Sequence, residues 1–229
     1  MNPYRDELGE VHEADLVRID PGRIDQFFCT AADWSELHAP GFERLKSSIQ
    51  HTGGNLQPIK VRPLGVLMLR DVSELDRAQG RYEIVFGHSR LLACLELGLP
   101  VLAISECMND VEVAQQFSAE YLSGQGWRPW RMGDFINRAM AEGLFPSCRR
   151  AAETLGIDHS EFRTYQLMAE FPAPVRKALR ALSLSRANGK KIAAAYVKDP
   201  SAFHAFDDTA DSMNGRTASK VLRKLAGGQ

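Results

Sequence analysis

Hydrophobic positions in the first half of the chain follow two periods, which predicts strands interleaved with helices. Short apolar or alternating runs, each typical of a β-strand, lie at 16–19, 59–62, 66–69, 81–86 and 101–104. Apolar residues recur at helical spacing through Phe42, Leu45 and Ile49, and a mostly apolar segment at 90–97 predicts a second helix. A polar run at 71–80 predicts a loop.

The second half of the chain has helical periodicity only. Val113, Phe117 and Tyr121 share one helix face, and a similar run covers residues 135–140. Between them lies Ser123–Trp130 (SGQGWRPW), whose glycines and proline predict a hinge. The pattern predicts an α+β protein with a small mixed α/β domain at 1–122 and an all-α domain at 123–229.

Composition places the chain among ordinary soluble proteins. Its 229 residues are 44% hydrophobic and 25% charged, which argues against a disordered or fibrous chain. The N-terminus does not resemble a secretory signal, and no apolar run reaches the roughly 18 residues of a membrane span. We therefore expect a cytoplasmic protein with no membrane partner. The four cysteines are widely spaced, which predicts reduced thiols rather than a zinc site.

Charge is distributed unevenly although the net charge is only −1. Residues 1–110 carry 11 Lys and Arg against 17 Asp and Glu, whereas residues 111–229 carry 17 against 12. Any contact with a polyanion is therefore expected in the C-terminal half.

Residues 147–171 have the form of a helix-turn-helix. Ser147 is a suitable N-cap for a helix that Gly156 would end. A three-residue turn, 157–159, follows, and Ser160 is predicted to open a second helix that Pro172 would end. Alanines at 151 and 152 would let the two helices approach closely.

The second helix of this motif carries the candidate DNA-reading side chains, because its N-terminal half enters the major groove in helix-turn-helix proteins. Four apolar residues are expected in the interior of the whole motif: Leu155, Ile157, Phe162 and Leu167. The predicted DNA-contacting residues are Ser160, Arg163, Thr164 and Gln166, with Arg149 and Arg150 on phosphates. A plain αα-hairpin with solvated arginines fits the spacing equally well. Further cations between 176 and 191 favour DNA.

A second candidate site lies where the strand at 81–86 runs into a helix. Gly87 and Arg90 form a Gly-x-x-Arg turn, a geometry that can surround a phosphate with backbone N–H groups and a guanidinium. The alternative is a tight turn whose arginine faces water.

The order of segments resembles the ParB family of DNA-segregation proteins. The resemblance is carried by 53–62 (GGNLQPIKVR), 82–90 (YEIVFGHSR), 93–101 (ACLELGLPV) and 143–147 (GLFPS), and it covers about residues 12–200. It looks closest to the plasmid and mobile-element branch. It implies a ParB/sulfiredoxin-like N-terminal domain, a helix-turn-helix domain that recognises a duplex DNA site for partition or regulation, and a nucleoid- or plasmid-associated location.

The resemblance also implies ligands and partners. In this family the N-terminal domain can bind CTP with Mg²⁺, which closes a homodimer on DNA, and a ParA-type ATPase is the partner. The nucleotide-binding residues carried over are Gln57, Gly87, His88, Ser89, Arg90 and Glu120, with Glu120 for the metal. Ser89 and Leu92 stand where the family has arginines, and Tyr121 stands where it has asparagine, so weak or no hydrolysis is expected.

Two other functions remain open from the sequence. One is an enzyme on the same fold, a nucleotidase, kinase or nuclease. The other is an interaction module that has kept the scaffold and lost both activities.

Overall fold

The structure, a computed structural model, describes residues 15–30, 41–64, 80–123, 129–180 and 186–204. The chain divides into two compact units, residues 1–117 and 118–229. This division falls within one helix. The domain boundary predicted at 122/123 adjoins residues 124–128, which lie outside the described ranges, and it stays a prediction.

The first unit is built on a five-stranded mixed sheet. Its strands are β1 (Asp15–Ile19), β2 (Ile24–Gln26), β3 (Ile59–Pro63), β4 (Tyr82–Phe86) and β5 (Val101–Ser105). They lie in the order β1-β5-β3-β4-β2. The β1–β5 and β3–β4 pairs are antiparallel, and the β3–β5 and β2–β4 pairs are parallel. A single turn of 3-10 helix, Pro21–Arg23, connects β1 to β2.

Two helices, α1 (Phe42–Thr52) and α2 (His88–Leu97), supply apolar side chains to the core of this unit. Phe42 and Ile49 of α1 and Leu91 of α2 join strand residues such as Val61 and Ile84 in one cluster. Burial of this apolar surface is the main force that holds the helices on the sheet. The predicted helix face of α1 is confirmed.

An ion cluster is buried beside β3 and β4. The side chains of Arg62 and Glu83 are 0% exposed, and Arg62 donates to a Glu83 carboxylate oxygen from Nε at 3.0 Å and from Nη2 at 2.6 Å. Arg62 also pairs with the buried Asp110 and donates to the Met108 carbonyl at 3.1 Å. Its guanidinium lies 5.3 Å from the centre of the Phe27 ring. Here the charges serve the fold, because each is matched by a partner away from water.

In the described part of the chain, seven helices follow β5. They are α3 (Asp110–Ser123), α4 (Pro129–Ala141), α5 (Cys148–Leu155), α6 (His159–Ala169), α7 (Ala173–Arg180), α8 (Arg186–Lys198) and α9 (Pro200–His204). The structure thus has the α+β class that the sequence predicts, with a mixed sheet followed, among the described residues, by helices.

Helices α4 and α6 pack very closely at Gly133. A Cβ atom at this position would lie 1.9 Å from the carbonyl oxygen of Tyr165 and 2.9 Å from the Cβ of Ala169. The second unit also has an apolar cluster that includes Trp130, Met168, Phe171 and Tyr196. Glycine at 133 is therefore what allows α6 to lie against α4 with its backbone in contact.

Sequence predictions need correction at β2 and in α6, and others cannot be compared with the structure. The short strand β2 has no counterpart among the predicted elements, because three residues carry too little periodicity. The predicted strand at 66–69 and most of the loop at 71–80 lie outside the described residues. Within the described part of the chain, no helix is long and apolar enough to cross a membrane. The corrections in α6 concern its start and the exposure of Thr164.

Candidate nucleic-acid interface

Helices α5 and α6 follow one another across a short turn, and their caps are well defined. Ser147 accepts a hydrogen bond from the backbone N–H of Arg150, and Gly156 ends α5 in the left-handed conformation with φ 67°. Both predictions are confirmed. The predicted start of α6 at Ser160 is wrong: Asp158 is the N-cap, accepts from the N–H groups of Ser160 and Glu161, and places His159 in the first turn. Aspartate at 158 suits this role because its carboxylate accepts these hydrogen bonds and is stabilised by the positive end of the helix dipole.

The inner side of the motif is apolar as predicted. Leu155, Ile157 and Phe162 are buried, and Leu167 is partly buried against the helical core. Tyr165 and Met168 complete the buried face of α6. At the N-terminal end of α6 the outer side remains at the surface, where His159, Ser160 and Arg163 are exposed.

Two predicted reading residues are less available than the sequence suggests. Thr164 was expected at the surface, which is wrong: it is only 8% exposed, and its hydroxyl donates to the Ser160 carbonyl at 2.9 Å. Gln166 is half-buried and donates to Asn137 Oδ1 of α4 at 3.3 Å. Of the predicted side chains, Arg163 and Gln166 could read a base by a bidentate contact. Arg163 is exposed, and it is therefore the more accessible of the two.

The two arginines predicted to bind phosphate lie at the start of α5. Arg149 and Arg150 are exposed and pair with Glu153 at 3.0 and 3.2 Å. Hydrogen bonding from Arg149, with the charges of both arginines, holds the pKa of Glu153 below its ordinary value. Glu153 is therefore ionised at neutral pH, and these arginines share one carboxylate before any phosphate approaches.

A lysine that the sequence analysis counted only among the general cations lies at the N-terminal end of α6. Lys190 of α8 is exposed, and its Nζ lies 3.1 Å from Ser160 Oγ. The separation of 30 positions hides this contact from any local pattern. It brings α8 to the edge of the helix-turn-helix surface.

The second candidate site is the turn between β4 and α2. Gly87 is the N-cap of α2 with φ 96°, and a Cβ there would lie 2.6 Å from Ile59 Cγ2. Glycine is thus required both by the backbone conformation and by the closeness of β3. Arg90, in the first turn of α2, donates to Gln57 Oε1 at 2.6 Å and to the Pro58 carbonyl at 3.4 Å. Two of the predicted nucleotide-binding residues therefore meet.

The loop that carries Gln57 is held in place by Asn55. The Asn55 amide accepts from Leu102 N at 2.8 Å and donates to the Leu102 and Gln57 carbonyls, each at 2.9 Å. The buried asparagine thereby fixes the loop against β5. Asn55 lies in the segment 53–62, which carries part of the sequence resemblance, and these hydrogen bonds give it a structural role.

The described residues fit a nucleotide triphosphate poorly. His88 is buried, Ser89 is half-buried, and Leu92 lies in the apolar core. Arg90 is the arginine that this turn supplies, and it already donates to two oxygens of its own chain. Glu120 is exposed on α3 and belongs to the second unit. A triphosphate needs several cationic or N–H donors, and the cationic side chain that this described turn offers is Arg90.

The similarity of this chain to known proteins is found among solved structures. No protein-family model matches the chain, and no curated protein matches it. Two similar solved structures are of the C-terminally truncated chromosome-partitioning protein ParB from Caulobacter crescentus. The one complexed to the centromeric parS site has 19% identity and a TM-score of 0.43, and the one complexed with CTP-gamma-S has 18% and 0.34. Each alignment covers 91% of this chain and 99% of the other. ParB is also the family that the sequence motifs resemble.

Proposed function

We propose that this chain is a ParB-like protein that binds a specific site in duplex DNA through α6. The observation that carries the proposal is the exposed N-terminal end of α6. His159, Ser160 and Arg163 lie at the surface there, and the opposite side of the helix is buried in the second unit. This is the part of a helix-turn-helix that meets base edges.

The charge around this surface supports DNA rather than a protein ligand. Arg149 and Arg150 at the start of α5 and Lys190 on α8 add exposed cations to Arg163. Contacts to the phosphate backbone position such a protein, and the base contacts select the sequence. A plain αα-hairpin has no need for exposed cations at both helix starts.

Selection from random duplexes by the purified full chain tests the proposal. We expect enrichment of one short motif, and binding to it that weakens steeply as salt increases, because each phosphate contact releases counterions. A pool that stays random after selection contradicts the proposal. Equal affinity for the selected and a scrambled duplex contradicts it as well.

The biological role follows from the resemblance and is part of the same proposal. We propose partition or regulation of a plasmid or mobile element, in a cytoplasmic, nucleoid-associated setting, with residues 1–122 and 123–229 as separate domains. A ParA-type ATPase and a second copy of this chain are the proposed partners. A low-copy plasmid that carries the selected site should be lost more often when the protein is deleted, and an unchanged rate of loss would contradict the partition role.

A further inference from the structure

Ser160 is placed where a base-reading residue would stand, yet its hydroxyl is already engaged. Its Oγ lies 2.5 Å from Asp158 Oδ1 and 3.1 Å from Lys190 Nζ. The hydrogen bonds from Ser160 and from two backbone N–H groups keep the pKa of Asp158 below its ordinary value, so this carboxylate accepts only. The one hydroxyl hydrogen of Ser160 therefore goes to Asp158.

Lys190 is left as the cation of this group. An ammonium has three N–H donors, and one of them points to Ser160 Oγ. The side chain is exposed, so the other two are available at the surface beside the start of α6. The same arrangement restrains a long flexible side chain before binding, which lowers the entropy that a contact with DNA costs.

We propose that Lys190 of α8 binds a DNA phosphate beside the N-terminal end of α6, and that Ser160 is a positioning residue that holds Lys190 rather than a residue that reads a base. This inference rests on the proposed function, since it concerns the same surface. It extends the interface from the helix-turn-helix to α8.

The test measures the affinity of the full chain for the selected duplex and for a scrambled duplex over a range of salt concentrations. Lys190→Gln should weaken both about tenfold, the loss of one charge-assisted hydrogen bond. It should also reduce the slope of log K against log salt by about 0.9, the value for one phosphate. Lys190→Arg should restore the slope. Lys198→Gln, exposed about two turns further along α8, is the matched control and should leave it unchanged.

Ser160→Ala separates positioning from reading. Asp158 still accepts from the backbone N–H groups of residues 160 and 161 in this variant, so the cap of α6 is retained. We expect a loss of about threefold on both duplexes, smaller than for Lys190→Gln, because the ammonium remains and only the hydrogen bond that restrains it is removed. In the Lys190→Gln background the same change should have no further effect, because the residue through which it acts is gone.

Several results would overturn the inference. One is an unchanged salt slope for Lys190→Gln, and another is an equal reduction by Lys198→Gln. A loss for Ser160→Ala that persists in the Lys190→Gln background, or that affects only the selected duplex, would show that Ser160 contacts DNA itself. If the unaltered chain binds no duplex selectively, the proposed function fails too. If it binds selectively and only the Lys190 result is negative, the proposed function stands alone.

Discussion

The two units use charged side chains in opposite ways. In the first unit, Arg62 is enclosed with Glu83 and Asp110, and Arg90 donates to Gln57 and Pro58. In the second unit, Arg149 and Arg150 of α5, Arg163 of α6 and Lys190 of α8 are exposed. Guanidinium groups that are satisfied inside a fold stabilise it, whereas groups held at the surface can exchange water or a weak carboxylate contact for a phosphate. Under the proposed function, the charges of the first unit mainly stabilise its fold, and those of the second unit bind DNA.

Arg62→Ala should give the largest effect, and it tests the first half of this comparison. It leaves Glu83 and Asp110 buried without their cation, which is expected to cost about 3–5 kcal/mol of the free energy of unfolding. Urea denaturation of the full chain measures this. Arg44→Ala, at an exposed position of α1, is the control and should change stability by at most about 0.5 kcal/mol. A loss below 1 kcal/mol for Arg62→Ala would mean that the buried cluster does not support the fold.

Gly133→Ala tests the close packing of α4 and α6 on which the second unit depends. The added Cβ would meet the Tyr165 carbonyl, and overpacking of this kind typically costs about 1–3 kcal/mol. Ala141→Gly, exposed on the same helix, should cost about 1 kcal/mol or less through helix propensity. Thermal unfolding compares the two variants. A loss of stability in Gly133→Ala that is no larger than the loss in Ala141→Gly would contradict the close packing at Gly133.

Arg163→Ala addresses the second half of the comparison. If Arg163 reads a base, its loss should cost about 1–3 kcal/mol of discrimination, or roughly 5- to 150-fold in affinity for the selected duplex. Affinity for the scrambled duplex should change much less. A titration followed by fluorescence anisotropy measures both. Equal losses on the two duplexes would reduce Arg163 to a phosphate contact.

The nucleotide that the resemblance implies provides a further test. We expect CTP with Mg²⁺ to bind the first unit weakly, because Arg90 is the arginine of the turn and is already hydrogen-bonded. Arg90→Ala should remove that binding in calorimetry while leaving affinity for DNA unchanged. Tight binding of CTP that survives Arg90→Ala would show that the first unit binds ligand through other residues, and the contrast between the units would no longer hold.

The smallest expected effect concerns the N-cap of α6. Hydrogen bonds from Ser160 and Glu161 hold the pKa of Asp158 below its ordinary value. A lowered pKa stabilises the fold above the ordinary value of about 3.9, and this stabilisation is lost as the pH falls through the lowered value. Asp158→Asn keeps a capping side chain without the charge. Its difference in stability from the unaltered chain should therefore shrink below pH 4, and a difference independent of pH would contradict this origin.

The sequence could predict those parts of the molecule that depend on neighbouring residues. Ser147 and Gly156 bound α5 because capping and left-handed glycine are local properties. The start of α6 was misplaced by two positions because Asp158 and Ser160 are both capping residues, and only the fold decides between them. Helical periodicity correctly placed Phe162 in the interior.

The remaining features depend on contacts between distant segments. Thr164 is buried because α6 is packed against more than one helix, which widens its buried face beyond the stripe that periodicity predicts. Arg62 in a strand would normally be taken as exposed, and its partners lie 21 and 48 positions away. Lys190 reaches Ser160 only through the packing of α8 on α6. No local pattern contains this information.

Repeating the duplex selection with Arg163→Gln tests the central claim most directly. Arginine favours guanine and glutamine favours adenine in the major groove. If the exposed end of α6 reads DNA, the selected motif should change at one base position of each recognised site, while the other positions stay the same. An unchanged motif of undiminished enrichment would show that α6 does not read the sequence.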